Sequence, residues 1–357
     1  MTSQLPVKEF LQQACSISVI DVRSPGEYAQ GHIPGAVNIP LFSDEERAKV
    51  GTKYKQINKE AALLLGLDIV GPKMSGFVKK AHKLASKGEL LIHCWRGGMR
   101  SGSFAWLLQT AGLNVTTLQK GYKAYRTDVL QLFEKPYPLI ILGGKTGSGK
   151  TELLREIATL GEQVIDLEAL AHHKGSSFGA IGELPQPTVE QFENDLHGVL
   201  SQINPEKRIW IEDESLTIGT ARIPVSFYNQ MRKAPVIFVD VPKEIRIIRL
   251  VKEYTGCHHS LLEAALERIK KRLDGLLYKQ ALDALHSNDY AKVADISLLY
   301  YDKAYLHGLS KRGDEHIHTI EIAGAEMAAN AQKIICLADE LNILGKESGD
   351  KSTLAIQ

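Results

Sequence analysis

Net charge is nearly absent. Lysine and arginine number 43 and aspartate and glutamate 42, which leaves a formal charge of +1 over 357 residues. Bulk charge therefore points to no polyanionic partner. Any nucleic-acid contact must come from local basic stretches such as "KEIRIIRLVKEY" or "ERIKKRLDG", which are equally ordinary solvated helix faces. Cysteine is scarce. Cys15, Cys94, Cys257 and Cys336 lie far apart with no C-x-x-C pair, which argues against a disulfide framework or a zinc site and for a reducing, cytoplasmic setting. Cys257 neighbours His258 and His259, but a fourth ligand is not apparent. The N-terminus lacks the basic-then-apolar layout of a signal peptide. No apolar run approaches bilayer length, so no membrane association is expected. Repeats and low-complexity tracts are also missing.

What is present is alternation. "SISVIDV", "GELLIHC" and "LNVTTLQKGY" read as strands, and "GFVKKAHKLAS" and "SFAWLLQTAG" have helical spacing. The stretch "SPGEYAQGHIPGAVNIP" reads as loop. After the linking helix "AYRTDVLQLFEKPYP", four more strands are expected in "PLIILGG", "GEQVIDLEALA", "KRIWIEDES" and "APVIFVDVP". From about Ile245 the pattern turns helical. "SLLEAALERIKKRLDGLLYKQALDAL" reads as one long amphipathic stretch, and Cys336 in "KIICLADELNIL" reads as core. Strands alternating with helices imply parallel sheets. The expected class is α/β, with a parallel-sheet domain over 1–135, a second α/β domain with a helical C-terminal extension over 136–345, and a flexible tail over 346–357.

Gly144, Lys145, Thr146, Gly147, Ser148, Gly149, Lys150 and Thr151 satisfy G-x-x-x-x-G-K-[ST], between an apolar strand and a helix. The glycines let backbone N–H groups converge on phosphate oxygens, and the helix N-terminus adds its positive end. Lys150 adds a point charge. Thr151 is placed to reach Mg²⁺, with Glu212, Asp213 and Glu214 at a strand end as acidic candidates, Asp213 foremost. No metal is assigned with certainty. Such a cradle accepts any diphosphate ester and does not by itself establish nucleotide hydrolysis.

The second motif is "IHCWRGGMRSG". Cys94 ends a strand, and Arg96, Gly97, Gly98, Arg100 and Ser101 follow. Glycines let the loop amides turn inward, and the arginines with the helix start favour a thiolate or a bound anion. A thiolate here attacks, or carries a chalcogen atom. The alternative is a small buried residue at a strand end. His-Cys-x5-Arg is also the spacing of a cysteine-dependent phosphatase. The loop alone leaves chalcogen transfer and phosphate-ester hydrolysis both open.

"VIDVRSPGEYAQGHIPGAVNIP" and "LLIHCWRGGMRS" resemble a rhodanese domain, whose loop cysteine carries sulfur, although this loop is one residue longer than the typical sulfurtransferase loop. With "GGKTGSGKTELL", "VGTKYKQINKEAALLLG", "HHKGSSFG", "QPTVEQFEN" and "IEDES", residues 5 to about 340 resemble the tRNA 2-selenouridine synthase family. The resemblance implies a rhodanese-like domain joined to a P-loop domain, and a transferase working on wobble 2-thiouridine of tRNAs that accept Lys, Glu or Gln. The sulfur is S-geranylated from geranyl diphosphate, and selenium from selenophosphate then replaces the geranylthio group. No tightly bound cofactor is implied, and a selenophosphate-supplying enzyme is an allowed partner. By the same resemblance Cys94 is nucleophile or selenium carrier, Arg96 and Arg100 position selenophosphate, and Lys150 and Thr151 hold the diphosphate. Ser176, Ser177 and Gly179 read either as an extension of the phosphate or prenyl pocket or as a turn of small residues, and Phe178 and Phe192 either as lining for the prenyl chain or as core. Basic helices from Lys243 to Arg272 contact tRNA phosphates.

Overall fold

The computed structural model describes residues 3–313, 316–324 and 326–341. The expected tail, 346–357, lies outside them. The chain divides into two units, Met1–Phe133 with Glu193–Gly198, and Glu134–Phe192 with Val199–Gln357. The first break thus falls at Phe133, against the expected 135, and a short segment from beyond the break groups with the first unit.

The first unit carries strands β1 (Ser3–Leu5), β2 (Val19–Asp21), β3 (Val37–Asn38), β4 (Glu89–His93) and β5 (Asn114–Leu118). They form one parallel sheet in the order β1-β5-β4-β2-β3. The central strand β4 is apolar and almost wholly buried, as a strand covered on both faces must be. Ile20, Leu90 and Ile92 pack with Phe104 and Leu108 in its core. The stretch expected to be loop holds a helix, Pro25–Gln30, as well as β3. Ser24 and Glu27 make that helix start, the Ser24 N–H donating to the Glu27 carboxylate at 3.1 Å.

The helical run Lys59–Leu84 spans 26 residues and passes for a membrane span by length and composition. This corrects the expectation that no run reaches bilayer length. The run is two α-helices, Lys59–Val70 and Met74–Leu84, joined by a 3₁₀ turn at Gly71–Lys73. The first of them leaves Leu63, Leu64 and Leu67 exposed.

The second unit carries β6 (Leu139–Gly144), β7 (Gln163–Ile165), β8 (Ile209–Glu212), a two-stranded hairpin of β9 (Thr217–Ile218) and β10 (Ala221–Arg222), then β11 (Val236–Asp240) and β12 (Ile317–Glu321). The main sheet is parallel, in the order β12-β11-β6-β8-β7. Strand β12 lies in the part read as helical, where "HIHTIEI" alternates at a sheet edge. The long amphipathic stretch is two helices, His259–Ile269 and Gly275–His286, because Asp274 caps the second by accepting from Leu277 N–H at 2.8 Å. Cys336 is exposed, not core, since Ile334 and Ile335 take the buried face of its helix. In each sheet the functional loop leaves the C-terminal end of a central strand, β4 or β6.

Candidate active sites

The Cys94 loop runs from β4 to the helix Met99–Thr110. Its course is forced by backbone packing. A Cβ at Gly97, where φ is +63°, would lie 2.8 Å from Leu118 O. A Cβ at Gly121, where φ is +60°, would lie 2.3 Å from Cys94 O. Only glycine allows both the left-handed backbone and the close approach. The N-terminus of the helix Gly121–Leu132 then holds the loop, with Tyr122 N–H donating to Cys94 O at 2.8 Å and Lys123 N–H to Trp95 O at 2.9 Å. Behind the loop, buried Arg23 grips Asp21 through Nε and Nη2 and stacks over the Tyr122 ring at 3.7 Å. His93 is fully buried, and burial lowers its pKa to about 4 against the pull of Asp21. It is neutral at pH 7 and places no cation behind the thiol.

Cys94 is 3% exposed and belongs to the sheet core. It also lines a groove of about 1770 Å³, together with the loop residues Trp95–Arg100. Cys94 is thus a core residue that also borders the groove. Cys94 Sγ lies 3.2 Å from Ser101 Oγ, and the Ser101 hydroxyl also lies 3.2 Å from Gly98 O, to which it can donate. Helix Met99–Thr110 begins at Gly98 without a side-chain cap, so its first N–H groups are left for a ligand or water. Arg96 is exposed and makes no ion pair among the described residues.

Arg100 differs from expectation. Its guanidinium is bound to Glu27, at 2.7 Å and 3.3 Å. Burial opposes ionisation of Glu27, yet the hydrogen bond and charge of Arg100, helped by Ser24 N–H and Arg47, hold its pKa at about 2. Arg100 is therefore a loop fastener, which leaves Arg96 as the exposed guanidinium of the loop. Glu27 went unnoticed in the sequence because its partner is 73 residues away.

In the second unit Gly144–Thr151 wraps from β6 into the helix Lys150–Thr159. Gly147 and Gly149 have φ near +80°, which turns successive amides to one side. Lys150 Nζ donates to Gly144 O at 3.0 Å, and Lys145 pairs with Asp240 at 3.2 Å. The buried Ser148 hydroxyl has no hydrogen-bond partner among the described residues. Two arginines from the run expected to contact tRNA turn inward instead. Arg246 is buried, donates to Thr146 O and forks onto Asp302 at 2.8 Å through both Nη atoms. Arg249 donates to Ser148 O at 2.5 Å. Within the same run Lys243 pairs with Asp295 and Lys270 with Glu267. Lys252, Lys271 and Arg272 remain on the surface. Helical periodicity alone did not separate the inward from the outward cations.

Asp213 is also reassigned. It accepts from Arg312 at 2.6 Å and from Tyr305 Oη at 3.0 Å, and Tyr305 Oη accepts from Gly144 N–H. It braces the cradle, with each carboxylate oxygen engaged by one of these donors. The carboxylates that gather at Lys150 and Thr151 are others. Thr151 donates to Glu168 at 2.9 Å, and Glu212 accepts from Glu168 N–H at 2.7 Å. Burial, then the neighbouring Glu168, raises Glu214 to about 8. Glu212 is raised too, by burial and then by Asp166 and Glu168. At about 8, Glu214 holds its proton at neutral pH, Glu212 is shifted in the same direction, and Thr151 is engaged by Glu168. Among the described residues no group of three or more His, Cys, Asp or Glu is arranged to hold a metal. Asp213 thus departs from its expected place as the foremost acidic candidate, and no step is derived through a metal ion.

Ser176, Ser177 and Gly179 form a closed turn. Ser176 Oγ accepts from Phe178 N–H, Tyr301 Oη accepts from Ser177 N–H, and Lys174 N–H donates to Gly179 O. Phe178 is buried against Tyr254, with ring centroids 5.0 Å apart, and Phe192 is fully buried. Both are packed as core residues.

A family model for the rhodanese-like domain matches residues 6–128, and one for the tRNA 2-selenouridine synthase AAA domain matches residues 137–333. The first unit is thus rhodanese-like and the second an AAA-type P-loop domain. The chain is 41% identical to a tRNA 2-selenouridine synthase of Bdellovibrio bacteriovorus, covering 86% of this chain and 92% of that one. It is 36% identical to one of Shewanella denitrificans, covering 82% and 89%.

Proposed function

Because the chain belongs to the tRNA 2-selenouridine synthase family, we propose that it converts wobble 2-thiouridine of tRNA into 2-selenouridine by way of an S-geranylated intermediate. The observation that carries this reading is the pairing, in one chain, of a cysteine at the floor of a groove with a separate diphosphate cradle. A prenyl diphosphate is an ester such a cradle can hold. In the first step the base sulfur attacks C1 of geranyl diphosphate, the C–O bond breaks, and pyrophosphate leaves carrying the charge. Amides of Gly144–Thr151 and Lys150 stabilise that charge. Loss of the N3 proton leaves a neutral S-geranyl base.

In the second step the geranylthio group leaves C2. Selenium in selenophosphate is already fully reduced, so a Cys94–selenium bond would need an oxidant. Electron balance therefore favours Cys94 as nucleophile at C2. Its thiolate displaces geranyl thiolate, which takes a proton. The selenium of selenophosphate then displaces Cys94, and water releases phosphate. Arg96 is the guanidinium placed to meet the selenophosphate anion. The phosphatase reading loses support from Arg100, whose guanidinium is occupied by Glu27.

The test is mass analysis of nucleosides from tRNA incubated with the protein, geranyl diphosphate and selenophosphate. Both geranylthio- and selenouridine are expected. If neither appears with active substrates, the proposed function is wrong.

A further inference from the structure

The groove that Cys94 borders is wider than the reacting atoms of the two-step chemistry require. One wall is the helix pair Asp44–Gln56 and Lys59–Val70, and the other is the helix Met99–Thr110. Apolar side chains stand exposed on both walls: Leu63 at 42% and Leu67 at 58% on one, and Trp106 at 60% on the other. Soluble surfaces seldom gather such side chains without a ligand for them. The floor is Cys94 itself with Phe104 and Phe42. The charged residues lining the groove are all cations: Arg47, Lys55, Lys59, Arg96 and Arg100. Lys55, Lys59 and Arg96 are exposed and make no ion pair among the described residues.

A trough that is apolar inside, cationic at its rim and nucleophilic at its floor fits a ligand of matching construction. That ligand has an aliphatic chain, a polyanionic body and a reactive carbon between them. At about 1770 Å³ the groove exceeds the ~300–1,000 Å³ of ordinary small-ligand sites, which leaves room for a nucleoside as well as a chain. We propose that this groove is the slot for the isoprenoid chain of an S-prenylated tRNA base, with the tRNA backbone on the cationic rim and C2 of the base over Cys94. This rests on the two-step reading above. It makes the chain a handle that selects the intermediate for selenation and seats its leaving group in apolar surroundings.

The test uses the full chain and the double variant Leu63→Gln/Leu67→Gln, whose side chains are exposed enough to leave folding intact. The probes are two anticodon stem-loop RNAs, one with S-geranyl and one with S-methyl 2-thiouridine. Wild-type protein is expected to bind the geranyl RNA at least about tenfold more tightly than the methyl RNA, from apolar burial alone. The variant is expected to lose that preference while binding the methyl RNA as before. Selenation of the geranyl RNA should show a raised KM in the variant, with geranyl transfer to the same stem-loop carrying 2-thiouridine unchanged. Equal wild-type affinity for the two RNAs overturns the slot and leaves the two-step function standing if selenation proceeds. Loss of geranyl transfer together with selenation would assign the groove to the diphosphate donor and overturn the proposal. Wild-type preference for anionic phospholipid vesicles over the geranyl RNA, abolished in the variant, would assign it to a membrane surface and do the same. Absence of all selenation by wild type would fail the function itself, and the slot with it.

Discussion

Cys94 Sγ and Ser101 Oγ stand 3.2 Å apart, the serine being the third residue of the helix that follows the loop. Ser101 also lies within reach of Gly98 O, so its hydroxyl proton can face either the carbonyl or a thiolate. Removing the hydroxyl deletes one neutral hydrogen bond to the sulfur, worth about 1 kcal/mol. Ser101→Ala is expected to slow selenation of geranylated tRNA by roughly two- to tenfold, whereas Cys94→Ser abolishes it. Single-turnover rates on pre-geranylated tRNA read this directly. A Cys94→Ser protein that still selenates at the wild-type rate removes the cysteine from the mechanism.

Lys150 sits within the cradle, with Nζ 3.0 Å from Gly144 O. Lys150→Ala removes the cation proposed to stabilise the departing pyrophosphate. Loss of one such preorganised donor costs about 10²–10³-fold. The expected result is geranyl transfer lost to that degree, with selenation of pre-geranylated tRNA retained. Unchanged geranylation would move the diphosphate elsewhere.

Gly121 is the pivot of the cysteine loop. Gly121→Ala places a Cβ 2.3 Å from Cys94 O and 2.4 Å from Gly97 N, at a backbone angle that disfavours any side chain. The loop must move. Selenation is expected to fall far more than geranyl transfer, because the cradle belongs to the other unit. An unperturbed Cys94 alkylation rate in this variant would contradict the expectation.

Glu214 gives a pH signature. Its pKa is raised to about 8, first by burial and then by Glu168. In the unfolded chain it ionises near 4.5, the ordinary value for a glutamate. Between those values the folded state holds a proton that the unfolded state has lost, so stability falls as pH rises across that window. Above about 8 the slope from this group vanishes. Glu214→Gln removes the titration. The melting temperature of the variant relative to wild type should therefore be higher at pH 8.5 than at pH 5. Glu212 is shifted in the same direction and remains in both proteins, so the comparison isolates Glu214. A difference that is flat with pH would count against the assignment.

Arg246 is buried beneath the phosphate loop with both Nη atoms on Asp302. Asp302→Ala strands a buried guanidinium and is expected to destabilise the second unit by about 3 kcal/mol. Thermal unfolding measures it. A neutral outcome would mean that water reaches the arginine.

The sequence by itself determined the parts that depend on local pattern. All seven strands expected from apolar runs are present, because a strand buried on both faces needs an unbroken apolar stretch. Both functional loops were legible, since glycine at positive φ and a strand-to-helix turn are written in consecutive residues. Tertiary structure decided everything that depends on who stands opposite. It drew Arg100 onto Glu27, gave Asp213 to Arg312, and turned Arg246 and Arg249 inward. It made Phe178 a core residue and left Leu63 and Leu67 exposed along the groove that Cys94 also borders. A side chain's type states what it can bind. Only the folded chain, by bringing partners together from 70 or more residues away, as with Arg100 and Glu27, settles what it does bind.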